Sequence, residues 1–580
     1  MKTLSLVFYF TLASTLIAKA FVLNLNVAGN AEHWDLLVPD PAISTNVVNP
    51  NTRAIRYFLA SDAYSPANIA AELNLVRAAF AQWQSVPDTY VKFEDAGLVD
   101  PPVDVNLTDN TNIVYWTKSS TLVNGGMNDI TGALGVTFAS FTSNENRILQ
   151  ADIVFNAVEY NWFANFFDTT NTNIYVESVA LHEIGHFSGL SHSPLGGATM
   201  LFQGAPGVNV QTGLSDDDVA ATRFLYPTAV ASYGAIKGTV TKNGGPVFGA
   251  AVFARNPASN TVAGTVTLSD GTFLVGSLPP GNYQIRIAPL DDSGASSFLI
   301  RGQNISSDFA SADTSFLPST NKSVSVIAGT TNTSDFVVTD GSPAFRITKI
   351  SDPTPNPPSS FALGPLPTSM RVGQSNYSIF VASADLPTNN ATLNITGDGL
   401  TIGPPNFFSQ AGLNFIYVSI SVSSNATPGL RDFIVQQGGN LAYANGFLEI
   451  QPASLDYNFD GLDDAFQRTY FPLFTSAQAA PNADPDGDGL SNTGEYVAGT
   501  NPTNAASVLK MLSVSNAPGG AAVRWQSVAG KKYQVSSRTN LVTASWQTNG
   551  APVLGGSSTA LYLDATATNG IRFYRVQVLP

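Results

Sequence analysis

The residues best placed to do chemistry stand in the stretch His182-Glu183-Ile184-Gly185-His186-Phe187-Ser188-Gly189-Leu190-Ser191-His192, which holds three of the chain's four histidines. The residues before it, Ile174 to Leu181, contain no Gly or Pro, so a helix is predicted to run through His186. Helix positions i and i+4 share one face, which aims His182 and His186 at a single metal ion. Glu183, beside the first ligand, is placed to hold a water that the metal polarises. Gly189 can take the left-handed backbone that ends a helix, and the turned chain then delivers His192 as a third ligand. Three neutral imidazoles leave a fourth zinc position open, the arrangement of a catalytic rather than a closed structural site.

The spacing H-E-x-x-H-x-x-G-x-x-H, followed by Met200 in Ala198-Thr199-Met200, resembles the metzincin signature. Ser193 after the third histidine is similar to the matrixin branch, the matrix metalloproteinase family. So is Leu214-Ser215-Asp216-Asp217-Asp218 running to Leu225-Tyr226-Pro227, where Ser215 and Asp218 form an S-x-x-D capping box and Pro227 follows the helix end. The resemblance implies an α+β catalytic domain, a catalytic Zn2+ on His182, His186 and His192, and Glu183 as general base. It also implies an endopeptidase acting on protein or peptide substrates. The loop Leu201 to Gly213 would wall the pocket for the residue after the cleaved bond, and its glycines suggest mobility. Matrixins often carry a second, structural zinc held by several histidines; only His33 lies outside the motif, so that site is expected to be absent. The rival is a non-enzymatic adhesin or matrix-binding protein with a vestigial protease domain, which would not need an intact Glu183.

The elements that must position these residues are legible upstream. Ile55-Arg56-Tyr57-Phe58-Leu59 reads as a first strand. Ser65-Pro66 opens a helix with Ile69, Leu73, Val76, Phe80 and Trp83 at helical spacing. Val91 to Glu94, Asn112 to Trp116 and Asp152 to Asn156 read as further strands. Leu134 to Phe138 is expected at the sheet edge above the cleft, where an extended peptide can add by backbone hydrogen bonds.

At 580 residues the chain is too long for one core and suggests roughly three to five domains. The expected architecture is multidomain: an α+β metzincin-type catalytic domain followed by all-β sandwich modules and a calcium-loop segment. The formal net charge of −15 argues against nucleic acid or anionic membrane surfaces as partners. With no cysteine, neither disulfides nor a cysteine-based zymogen latch can exist. Met1 to Ala20 reads as a secretory signal peptide, with Lys2, an apolar run from Leu4 to Ile17, and a small-x-small site at Ala18-Lys19-Ala20. No later run is long enough to span a bilayer, so a secreted, extracellular protein is expected. Residues 21–50 form a short leader, read as non-catalytic and packed on the domain surface. The less favoured alternative is an inhibitory latch using His33, Asp35 or Asp40. Residues 51–228 hold the catalytic domain.

Beyond Pro227 the composition turns to Gly, Thr, Val and Asn in short alternating stretches, as in β-sandwich modules. Residues 233–342 resemble the carboxypeptidase regulatory-like sandwich, and 343–452 an Ig-like one; neither has a catalytic constellation, so spacer or binding roles are expected. In 453–508, Asp484-Pro485-Asp486-Gly487-Asp488-Gly489-Leu490-Ser491-Asn492-Thr493-Gly494-Glu495 fits a calcium loop. Its Ca2+ ligands would be Asp484, Asp486, Asp488, the Leu490 carbonyl, Asn492 and Glu495. A weaker loop offers Asp456, Asn458, Asp460 and Asp464, with Gln467 where Glu is preferred. Both resemble thrombospondin type 3 and dockerin repeats. Residues 509–580 read as a terminal β-module suited to cell-surface or matrix attachment.

Overall fold

The computed structural model describes residues 22–23, 31–39, 43–142, 146–204, 206–208, 211–290, 302–306, 309–319, 321–358, 360–543, 545–567 and 570–579. The signal-peptide reading of Met1 to Ala20, and Asp40 of the leader, lie outside them. The chain divides into one unit ending at Phe459 and another beginning at Asp460. Among the described residues no helix is long and apolar enough to cross a membrane.

The first unit opens with a five-stranded sheet. Its strands are β1 (Ile55–Ala60), β2 (Phe93–Val99), β3 (Ile113–Thr117), β4 (Gly135–Phe141) and β5 (Ile148–Asn156). They lie in the order β2-β1-β3-β5-β4. The first four pair in parallel, and β4 closes the sheet as an antiparallel edge on β5. That is the edge expected from Leu134 to Phe138, with Thr137 opposite Ile153. Two helices cover one face: α1 (Ile69–Gln84) and α2 (Val176–Phe187). The helical spacing in α1 predicts its buried side, which includes Leu73, Val76, Phe80 and Trp83. Phe80 stacks on Tyr57 of β1 at 3.8 Å between ring centroids and meets Phe187 of α2 edge-on at 5.7 Å. Trp83 donates its indole N–H to the Leu181 carbonyl at 2.9 Å, and Gln82 donates to the buried Glu177 at 2.6 Å. These contacts fix the height and rotation of the helix that carries the histidines.

The leader differs from its surface reading. Trp34 is fully buried and Leu36 nearly so, both in the same core as Phe80 and Phe187. Its backbone joins the sheet border through His33 N to Asn146 O (3.0 Å) and Ile148 N to His33 O (2.9 Å). A tryptophan in so short a segment supplies more apolar area than charge count suggests.

Two sandwiches follow within the same unit. Gly234–Lys242 pairs with Thr272–Leu278, and its alternate residues share a core with Ala251–Arg255, Gly281–Ala288 and Lys322–Val326 of a second sheet. Further on, Tyr377–Ser383 pairs with Leu413–Val422, and Gly429–Gln437 with Asn440–Gln451, across another core.

These sheets pack against the histidine-bearing domain. The loop after His192 runs into them: Leu195, Ala198 and Leu201 are buried in the cluster that contains Phe253, Leu430 and Phe447. Gly196 donates its N–H to Asn445 O at 2.9 Å, and a Cβ there would overlap the Phe447 ring. The sheets are joined to one another by buried charge. Asp432 receives Arg255 at 2.8 Å and Arg286 at 3.1 Å. Burial alone would raise its pKa; the two guanidiniums prevail and the carboxyl is lowered to about 2.

The second unit contains α3 (Asp464–Tyr470) and α4 (Asn492–Ala498), then small sheets. These sheets enclose Val523, Trp525, Tyr533 and Val535.

Candidate active site and metal centre

Helix α2 starts after Tyr175 and ends at Ser188, and Gly189 takes φ +101° as the turn requires. The glycine also admits the leader, because a Cβ there would overlap the Glu32 carbonyl oxygen. His182, His186 and His192 converge: the Nε2 of His186 lies 3.1 Å from that of His182 and 3.2 Å from that of His192. Nitrogens about 2.0–2.1 Å from one zinc at tetrahedral angles lie roughly 3.3 Å apart, so this spacing fits the ion. The outer nitrogens are engaged as well. His182 Nδ1 meets Thr199 O and His186 Nδ1 meets Leu190 O, each at 2.8 Å. With Nδ1–H donated to a carbonyl, each Nε2 lone pair is left facing the centre. Burial lowers the His182 pKa to about 3 with help from His186, and it holds His186 and His192 down too. Neutral imidazoles are the form that binds a metal.

Met200 sits beneath the helix at Gly185, where a Cβ would overlap its sulfur. The floor is tied to the segment Asp216–Leu225, the last helix of this region. Ser215 caps it with the reciprocal bonds read from S-x-x-D. Asp218 accepts from Thr199 N (2.9 Å) and Met200 N (3.2 Å), and Asp217 from Ser193 Oγ (2.6 Å).

Glu183 is 3 % exposed, and burial raises its pKa to about 7 against the opposing Thr137 hydroxyl. A carboxylate poised near neutrality can take and return a proton.

Several contributors were not visible in the motif. His192 is hydrogen-bonded by the backbone at Asn304 and Ile305, and Ser191 Oγ donates to Ile305 O at 2.9 Å. Asp217 also accepts from Gly264 N at 2.8 Å, within strand Val262–Val266. No local signal marks residues so distant in sequence. Thr137, bonded to Glu183, was within reach, since it lies on the strand read as the cleft edge. The described parts of the loop expected to be mobile are held: Gln211 donates to Gln203 O at 3.1 Å, Thr212 Oγ1 to Tyr457 OH at 3.1 Å. A Cβ at Gly213 would overlap Tyr457. Its glycine there marks a close approach.

In the second unit Asp484, Asp486 and Asp488 bring carboxylate oxygens within 4.8 Å of one another. Among the described residues, Asp486 Oδ2 and Asp488 Oδ2 are buried without a hydrogen-bond partner, and the buried Glu495 carboxyl has only the Thr500 hydroxyl near it. The Asn492 amide N–H groups are used by Gln478 O and Ala480 O, and its Oδ1 has no partner among the described residues. Burial and the three aspartates raise the Glu495 pKa to about 7. Such a set of orphaned oxygens fits a hard cation. Of the weaker loop, Asp456 and Asn458 belong to the first unit, Asp460 and Asp464 to the second. Gln467 donates to Asp460 Oδ2 at 2.8 Å, so a neutral amide stands where a bidentate glutamate would.

His182 and His186 on the helix, with His192 from the chain beyond its terminal turn, thus form a zinc-fitting triad beside a sheet with an antiparallel edge strand. Residues 50–227 match the family model of Matrixin; the chain carries a matrixin-like metalloprotease domain. Residues 235–296 match the Carboxypeptidase regulatory-like domain. The metalloendoproteinase 4-MMP of Arabidopsis thaliana is 32% identical over 155 residues, which are 26% of this chain and 39% of that protein. Among solved structures, the major pilin subunit of Bacillus cereus is 9% identical, covering 60% of this chain and 88% of that one at a TM-score of 0.14. The minor pilin of Streptococcus agalactiae is 14% identical, covering 23% and 52%, at 0.14. Likeness at this level bears on neither fold nor function.

Proposed function

We propose that the protein is an exported, zinc-dependent endopeptidase of extracellular proteins or peptides, with Glu183 as its general base. The observation that carries this reading is the convergence of three Nε2 atoms at zinc spacing beside a buried carboxyl. When bound, zinc supplies Lewis-acid polarisation of water and of a carbonyl. The chain's own residues do the rest. His182, His186 and His192 hold the ion, with Thr199 and Leu190 carbonyls orienting two of the rings. Glu183 accepts the proton of the attacking water and delivers it to the leaving amine. The edge of β4, which has no strand on its far side among the described residues, aligns an extended substrate by backbone hydrogen bonds. Calcium on Asp484, Asp486, Asp488, the Leu490 carbonyl, Asn492 and Glu495 is part of the same proposal, as a structural ion. So is attachment to a surface or matrix through the β-rich regions.

The test is hydrolysis of a peptide library by the full chain, with and without a zinc chelator, beside Glu183→Ala and His186→Ala. Glu183→Ala is expected to keep zinc and lose turnover by about 10²- to 10⁴-fold, while His186→Ala weakens zinc binding itself. Zinc-loaded wild type that cleaves no library member would leave the binding-protein reading instead.

A further inference from the structure

Strand β4 meets Glu183 with two residues, Gly135 and Thr137. Side chains two apart on a strand point to one face, so both stand against the same carboxyl. At Gly135 an added Cβ would lie 2.9 Å from Glu183 Oε1 and 3.0 Å from its Cγ. Only glycine lets the side chain lie this close to the strand. Two residues on, Thr137 Oγ1 is 2.7 Å from Glu183 Oε2 and 2.9 Å from the Glu183 carbonyl oxygen. A threonine hydroxyl has one proton to donate, and both acceptors belong to Glu183, so either donation ties that residue to β4. The Thr137 backbone N–H adds to the hold on this carboxyl, and among the described residues no side chain donates to Glu183 Oε1.

The β4 backbone at Thr137 is itself fixed. It pairs with Ile153 of β5, which is fully buried in the main core. The hydroxyl is therefore presented from a rigid element. A carboxylate hung from a helix has free rotation about its side-chain bonds unless something stops it, and here one oxygen is stopped.

We infer that Thr137 is a positioning residue for Glu183: the hydroxyl anchors Oε2 against the edge strand, Gly135 makes room, and Oε1 is left as the proton acceptor. The inference rests on Glu183 being the base. The bond acts on the orientation of that base and not on the histidines, none of which Thr137 touches. Because Thr137 lies on the strand that would align substrate, the same element registers the substrate and the base that activates the attacking water.

The experiment uses the full chain as wild type, Thr137→Val, Thr137→Ser and Gly135→Ala. Thr137→Val keeps the branched shape and loses the hydroxyl. It is expected to retain one zinc per chain and an unchanged melting temperature, with KM within about 2-fold and kcat lower by about 10- to 100-fold, since orientation of a base acts on the chemical step. Thr137→Ser restores the hydroxyl and is expected to recover kcat to within about 3-fold. Gly135→Ala should lower kcat by displacing Glu183 while Thr137 stays. A second readout is independent of turnover: crystal structures of the zinc-free proteins, in which the Glu183 carboxylate leaves β4 in Thr137→Val and returns in Thr137→Ser. A wild type without peptidase activity would defeat the proposed function, yet these structures would still decide the clamp. An unmoved carboxylate in Thr137→Val, wild-type kcat in it, or a loss that serine does not repair would overturn the inference.

Discussion

Trp34 donates its indole N–H to the carbonyl of Phe187, the last residue of α2, at 2.7 Å. Its backbone N–H reaches the Tyr226 hydroxyl at 3.2 Å, and that hydroxyl donates to Ser188 O at 2.7 Å. One buried tryptophan thus satisfies the end of the helix that carries His182 and His186 from outside it, where helix carbonyls otherwise go unpaired.

This relationship decides what removing the leader does. The metal-capable cluster of His182, His186 and His192 includes no leader residue among those described. His33 Nδ1 meets Ala31 O, and Asp35 Oδ1 faces Val38 N. A chain beginning at Asn51 is therefore expected to be less stable and no more active than one beginning at Phe21. Trp34→Ala should cost about 3–5 kcal/mol in denaturant unfolding. A truncated protein of full stability and raised activity would restore the latch.

Glu32 provides a pH test. It is 4 % exposed, its Oε1 has no partner among the described residues, and burial pushes its pKa up to about 8. A carboxyl raised above its unfolded value, roughly 4.3, favours the folded state fully below that value. The advantage is lost as pH rises from there to about 8. Unfolding midpoints of the wild type should fall over that window, and Glu32→Gln should flatten the fall. Equal slopes in the two proteins would show that Glu32 is ionised when folded.

The Asp432 pair predicts a large loss from a small change. Asp432→Ala leaves Arg255 and Arg286, both buried, without their carboxylate, and should destabilise the first unit by about 3–5 kcal/mol. Its own pKa is lowered to about 2, below the unfolded value of roughly 3.9. Its stabilisation is thus complete above that unfolded value and lost as pH falls through about 2. Chemical unfolding of Asp432→Ala at pH 7 beside the wild type measures the first effect.

The calcium loop is checked in the full chain by hydrogen exchange. Calcium is expected to slow exchange at residues 484–500. At about 100 times its Kd it would add about 2.7 kcal/mol to the second unit. Asp488→Ala with Glu495→Ala should abolish both effects. Absence of heat on titrating calcium into wild type would remove the ion from the proposal.

Legibility followed the range of the interactions. Helix α2, the turn at Gly189 and the capping box of Ser215 with Asp218 depend on residues a few positions apart, and pattern alone located them. The edge strand was legible because its apolar run stands apart, although β4 begins at Gly135 and extends to Phe141. Trp34 on Phe187, Ile305 on Ser191 and Gly264 on Asp217 join residues dozens to more than a hundred positions apart, and no spacing rule encodes them. The glycines of the 201–213 loop suggested mobility because sequence cannot tell a glycine needed for freedom from one needed for a close neighbour such as Tyr457.

The loop from Ser193 to Leu201 has a practical consequence for anyone excising the matrixin-like domain. Cutting after residue 228 would strip the covering from Leu195, Ala198 and Leu201, which are at most 1 % exposed in the whole protein. It would also remove the backbone at Ile305 that holds the Ser191 hydroxyl. The isolated piece would carry a sticky apolar face on the loop that follows its histidines, so self-association and a loosened histidine cluster would arrive together. The sheets downstream behave as a chassis to which the histidine-bearing domain is bolted.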